Sequence, residues 1–199
     1  VNRSVAESLE ELTRIVATAR AAGCTVDVAL SVSFGCPYEG RVEPQRVADL
    51  CERIAGAGVD EVGVADTIGV ATPAAVASLL RLVAERVPLE QLSLHVHDTR
   101  GLGVANVVAA FAAGVRRFDG SVGGVGGCPF APRSTGNVCS EDALQALMSL
   151  GATVDADLDA LCRVSEQLER DLGRALPGRL YRAGVWHGVP VATAEASVG

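Results

Sequence analysis

His95 and His97 stand two residues apart near the end of a short apolar run. If that run is a strand, side chains two apart leave one face, so both imidazoles can converge on a single metal ion. The plainer alternative is a pair of satisfied polar side chains at a sheet end. Metal binding is favoured because parallel-sheet enzymes gather their sites at strand C-termini. Asp98 then points the other way, where it can orient a neighbouring loop.

Asp66 closes an earlier apolar run directly before Thr67, Ile68 and Gly69. A carboxylate there would face the same mouth and could act as acid or base; a loop- or helix-capping aspartate is an equal alternative. Asn137, after Ser134, Thr135 and Gly136, offers a hard amide oxygen suited to Mg²⁺ or Mn²⁺, against its plainer use in a turn leading into a helix. Two histidines with oxygen ligands describe an octahedral cation better than a closed tetrahedral zinc.

The run from Gly123 to Ala131 joins a glycine-rich loop to one thiol, Cys128, which suits a cysteine brought to a substrate when a loop closes. A plain turn or a phosphate cradle competes, but the glycines match neither a P-loop nor a dinucleotide fingerprint. Gly35-Cys36-Pro37-Tyr38 echoes Gly127-Cys128-Pro129-Phe130, so Cys36 stands as a second candidate thiol.

These groups need elements to hold them. Ser4 and Glu7 form a capping box for a helix to about residue 22, and a strand follows over 25–32. Pro44 opens a helix to about 57, and 60–65 reads as the next strand. Thr72 and Pro73 start a helix that closes before Pro88, ahead of a strand over 92–96. A helix over about 104–113 precedes a strand over 116–122 and the glycine loop, and Ser140 caps a helix carrying Glu141 and Asp142. The fold class is therefore α/β, built of repeated βα modules from a barrel or a doubly wound sheet. A complete (β/α)₈ barrel takes roughly 250 residues, so 199 residues with four units fit an open sheet or part of a barrel. Residues 176–199, rich in Ala, Gly and Pro, read as an irregular tail beyond one domain over 1–175.

Composition bounds the function. With 49% apolar residues the chain can bury one sizeable core. Its net charge is −7 and its basic residues, all Arg, are scattered, so a nucleic-acid partner is not expected. Apolar stretches break well before the roughly 18 residues that cross a bilayer, so no membrane association is expected. No signal-peptide pattern opens the chain, although with Val at position 1 this says little about location. Cys24, Cys36, Cys51, Cys128, Cys139 and Cys162 lack metal-knuckle spacing, and a chain this large needs no staples; a reducing cytosol is the expectation.

Taken together, Gly35-Cys36-Pro37-Tyr38-Glu39-Gly40, Asp66-Thr67-Ile68-Gly69, His95-Val96-His97-Asp98-Thr99 and the stretch from Ser121 to Ala131 resemble the 3-hydroxy-3-methylglutaryl-CoA lyase family in order and spacing. The likeness runs to about Leu150, more weakly to Leu172, and the glycine–cysteine loop is its most specific part. It implies a TIM barrel of which this chain holds about strands five to eight, a divalent cation (Mg²⁺ or Mn²⁺), an acyl-CoA substrate and a homodimer. It further implies His95, His97 and Asn137 as metal ligands and Cys128 as the catalytic thiol. Asp66 and Glu141 would be acid/base or supporting residues, with Asp98 and Asp142 holding the ligands from behind.

The implied reaction is a retro-Claisen cleavage to acetyl-CoA and acetoacetate, with Cys128, or a group relayed through it, supplying a proton to the acetyl-CoA enolate. The family's Arg-Asp pair, whose Asp is a further ligand, is outside this chain; alone, the chain would expose barrel edges and is expected to be unstable, poorly active or dependent on another segment. Arg100, Pro132, Arg133 and Ser134 depart from the family pattern and point to altered acyl specificity. A Claisen-type synthase shares the His-x-His strand but not the Gly-Gly-Cys-Pro loop. A non-catalytic interaction module remains the reading from a different class.

Overall fold

The structure, a computed structural model, describes residues 3–127 and 136–187. Helix α1 (Val5–Ala21) starts at Ser4, where the side chains of Ser4 and Glu7 cap each other's backbone N–H groups. Strand β1 (Asp27–Leu30), helix α2 (Pro44–Gly56), strand β2 (Glu61–Asp66), helix α3 (Pro73–Ala84), strand β3 (Leu92–Val96), helix α4 (Gly103–Ala112) and strand β4 (Arg117–Asp119) follow in strict alternation. The four strands form one parallel sheet in the order β1-β2-β3-β4, as short strands joined by helical crossovers require. A 3-10 turn (Val122–Gly124), helices α5 (Ser140–Ser149) and α6 (Leu158–Leu172) and the short α7 (Leu180–Ala183) complete the described chain. No helix among the described residues is long and apolar enough to cross a membrane.

The two sheet faces differ in chemistry. On the outer face Val62, Val64, Leu92, Leu94 and Val96 are fully buried, covered by Ala48 and Cys51 of α2, Val76 and Leu80 of α3, and Val107 and Ala110 of α4. Fully burying each such side chain is worth about 1.5–3 kcal/mol, so this face carries the hydrophobic stabilisation. The inner face is small and polar. Register sets Ala29, Gly63, Ser93 and Arg117 in one row, and Ala65, His95 and Asp119 in the next. Close approach explains Gly63: a Cβ there would lie 3.0 Å from Ser93 Oγ.

Three local expectations change. Strand β1 stops at Leu30 because Val32 sits at φ +55°, which turns the chain out of the sheet. Ser140 is the first residue of α5 and not its cap; Cys139 takes the cap position, without a side-chain capping hydrogen bond. The segment read as the start of an irregular tail packs instead: Leu176 and Tyr181 are buried with Cys162 of α6, and 180–183 is helical.

A β-branched residue in the left-handed region is strained by about 1–3 kcal/mol. Val32→Gly is therefore expected to raise stability by about 1 kcal/mol after the extra unfolded-chain entropy of glycine. That corresponds to roughly 2–4 °C in a thermal melt of a domain this size. A lowered midpoint would show that packing of the valine side chain outweighs its strain.

Candidate metal centre

His95 is the penultimate residue of β3 and His97 is the first residue beyond it. Residues 136–138 return antiparallel alongside: Asp98 N–H donates to Gly136 O, and Val138 N–H donates to Val96 O. His97 and Asn137 are thereby bridge partners. Residues directly opposed in an antiparallel pair share a face, so Asn137 is brought beside the second imidazole. Its Nδ2 donates to Val125 O at 3.0 Å, which turns the amide oxygen away from Val125.

The ring centres of His95 and His97 are 5.1 Å apart, with the rings at 71°. An imidazole centre lies about 3 Å from an ion it ligates, so two adjacent ligands of an octahedral cation put their ring centres roughly 4.5–5 Å apart. The pair has the spacing of two ligands to one ion. His95 Nδ1 is paired with the Asp119 carboxylate, which leaves Nε2 as the ring nitrogen facing away from that partner. His97 is 6% exposed, and burial, reinforced by neighbouring His95, holds its pKa below the ordinary imidazole value; Asp66 and Asp119 pull the other way but less. The neutral form, which can ligate, is thus favoured near neutral pH. Among the described residues no group of three His, Cys, Asp or Glu could hold a metal ion; the candidate donors at this strand end are two imidazoles and one amide.

Asp66 is level with the histidines, since His97 N–H donates to its carbonyl, but its carboxylate does other work. Its two oxygens accept the N–H groups of Val70 and Ala71, each at 2.9 Å, closing the loop between β2 and α3. Burial raises its pKa despite those two hydrogen bonds and the nearby His97 and Arg100. Arg100 ties the same loop down by donating to the carbonyls of Ile68 and Gly69. Asp98 accepts from Gly103 N–H at 2.6 Å, orienting the start of α4.

Glu141 is fully buried on α5 and faces the glycine loop, accepting from Gly123 N–H and, at 2.5 Å, from the Ser165 hydroxyl. Asp142 accepts the N–H groups of Arg179 and Leu180, and Arg179 pairs with Asp98 at 3.7 Å. Asp98 and Asp142 therefore meet at Arg179. Cys36, half-buried, pairs through its backbone with Gly40. Cys128 lies outside the described residues, as do Pro132, Arg133 and Ser134. Sequence reasoning passed over Asp119, whose link to His95 depends on strand register, and Ser165, whose link to Glu141 depends on helix packing.

The HMGL-like family model matches residues 1–168. The (R)-citramalyl-CoA lyase of Chloroflexus aurantiacus is 44% identical over 182 residues, 92% of this chain and 57% of that protein. A hydroxymethylglutaryl-CoA lyase of Bacillus subtilis is 40% identical over 179 residues, 90% of this chain and 60% of that protein. The solved structure of an HMG-CoA lyase from Acinetobacter baumannii in complex with coenzyme A and 3-methylmalate superposes with a TM-score of 0.88 at 38% identity, covering 96% of this chain and 62% of that one. The chain thus spans about three fifths of the length of these relatives.

Proposed function

Because this chain belongs to the HMGL-like family, we propose that the protein is a carbon–carbon lyase cleaving 3-hydroxy-3-methylglutaryl-CoA to acetyl-CoA and acetoacetate with Mg²⁺ or Mn²⁺. The observation that carries this reading is the grouping of His95, His97 and Asn137 at one strand end, on a face that is otherwise small and polar. That face has the character of a barrel interior, which supports placing the four strands as about the fifth to eighth of a TIM barrel. A homodimer is carried over from the family resemblance alone.

Two imidazoles and an amide oxygen fit a hard or borderline octahedral cation, with His95, His97 and Asn137 as the residues that would hold it. When bound, such a cation supplies Lewis-acid stabilisation of negative charge on the substrate's tertiary hydroxyl oxygen. The protein's own groups do the rest. Asp119 holds the His95 ring through Nδ1, so that Nε2 is the nitrogen that would be offered to the cation. Asp66 and Arg100 hold the neighbouring loop, and the buried outer face keeps β3 rigid behind the histidines. Cys128, next in sequence after Gly127, is the proposed donor of the proton that the acetyl-CoA enolate requires once carbon–carbon cleavage releases acetoacetate.

Asp119→Asn is expected to weaken Mn²⁺ binding by the protein roughly tenfold while leaving the melting temperature nearly unchanged, because Asp119 is largely exposed and acts through His95. An unaltered affinity would remove Asp119 from the centre.

The 44% identity to a citramalyl-CoA lyase supports a second substrate of the same chemistry, a 3-hydroxyacyl-CoA with carboxylate and methyl on or near the carbinol carbon. Comparing kcat/KM for the two thioesters, read as acetoacetate against pyruvate, decides between them; tenfold preference for citramalyl-CoA would replace the first assignment.

A further inference from the structure

We propose that Ser165 and the segment 176–178 are positioning elements for the Asn137 ligand, acting through the glycine turn; this rests on the metal-centre reading above. The Asn137 amide takes its orientation from Val125 O, which also accepts from the Ser121 hydroxyl. Val125 directly follows the 3-10 turn Val122–Gly124, whose middle residue, Gly123, stands at φ +64°.

That turn is held at both ends of Gly123 from the C-terminal layer. Its N–H donates to buried Glu141, which is itself held by the Ser165 hydroxyl of α6. Its carbonyl accepts from Gly178 N–H at 3.0 Å. Packing closes the same joint: a Cβ at Gly123 would come within 2.4 Å of Leu176, and Pro177 lies against Gly124 and Gly136. Gly136 N–H in turn donates to Gly126 O, immediately before the amide that is to be aimed. Arg182 donates twice to Gly178 O and fixes the clasp from outside.

The consequence is directional. Glu141 is a buried carboxylate, and a buried acceptor with fewer donors moves or recruits others, carrying Gly123 with it. Displacement of the turn shifts Val125 O and swings the Asn137 amide. Ser165 touches neither ligand nor ion, so its effect must show in affinity and not only in fold stability.

The test uses the longest natural form of the protein, with Mn²⁺ alone as the probe, its dissociation constant read by electron paramagnetic resonance well below the melting temperature. Ser165→Ala is expected to weaken Mn²⁺ binding by roughly tenfold, the usual size of an outer-layer effect on a metal site. Ser165→Thr, which keeps the hydroxyl, restores it. Arg182→Met replaces the side chain with an unbranched apolar one that lacks the donors to Gly178 O, and is expected to weaken binding in the same direction without unfolding the protein. If wild type binds Mn²⁺ and Ser165→Ala and Arg182→Met bind equally well, the positioning role is overturned while the metal centre stands. If wild type does not bind Mn²⁺, the metal-centre reading and this inference fall together.

Discussion

His97→Ala is expected to lower kcat/KM of the longest natural form by about three orders of magnitude or more and to abolish measurable Mn²⁺ binding. A ligated cation contributes several kcal/mol of transition-state charge stabilisation, and each 1.36 kcal/mol is a decade in rate. Of the proposed ligands, His97 is the one whose substitution should matter most: it is buried, biased to the neutral form, and opposed across a bridge to Asn137. The alanine also leaves a cavity and costs about 1–3 kcal/mol of stability, so His97→Gln serves as the volume-matched partner. Both variants should lose metal; only the alanine should melt markedly earlier. Activity within tenfold of wild type in His97→Gln, with unchanged Mn²⁺ affinity, would remove the histidine pair from the chemistry.

Cys128→Ala is expected to lower kcat by roughly 10²–10⁴, the usual range for a positioned proton donor, with Mn²⁺ affinity unchanged. The separation of the two readouts is what distinguishes a proton donor from a ligand. Among the other thiols, burial holds Cys51 and Cys162 well above the ordinary value, at about 12 and 11, and pushes Cys139 higher still. None of the three suits proton exchange near neutral pH. Cys36 shares the Gly-Cys-Pro context, and Cys36→Ala is expected to retain near wild-type rates. A larger loss at Cys36 than at Cys128 would transfer the role.

The βα alternation was legible because β-branched runs and capping signals act locally: Ser4 with Glu7, Pro44, and Thr72 with Pro73 each begin a helix where their chemistry demands one. The His-x-His pair was legible because a strand's period of two needs no knowledge of its neighbours. What failed to show was long-range. Asp119 joins His95 only through the parallel register of β3 with β4, and nothing in either segment states that register. Asp66 was read as ending its strand, as it does, but whether its carboxylate faces a substrate or its own loop depends on the backbone path of 67–71. Residues 176–183 read as irregular because their order comes from Gly123 and Asp142, more than 35 residues away, and not from local propensity. Strand β1 was read too long because the turn at Val32 uses a residue type that favours strands.

The most direct measurement is acetoacetate release from 3-hydroxy-3-methylglutaryl-CoA by the longest natural form of the protein, assayed with Mn²⁺ and again after chelation. The lyase reading predicts metal-dependent release with acetyl-CoA formed in equal amount. A folded, Mn²⁺-bound protein that releases no acetoacetate would contradict it.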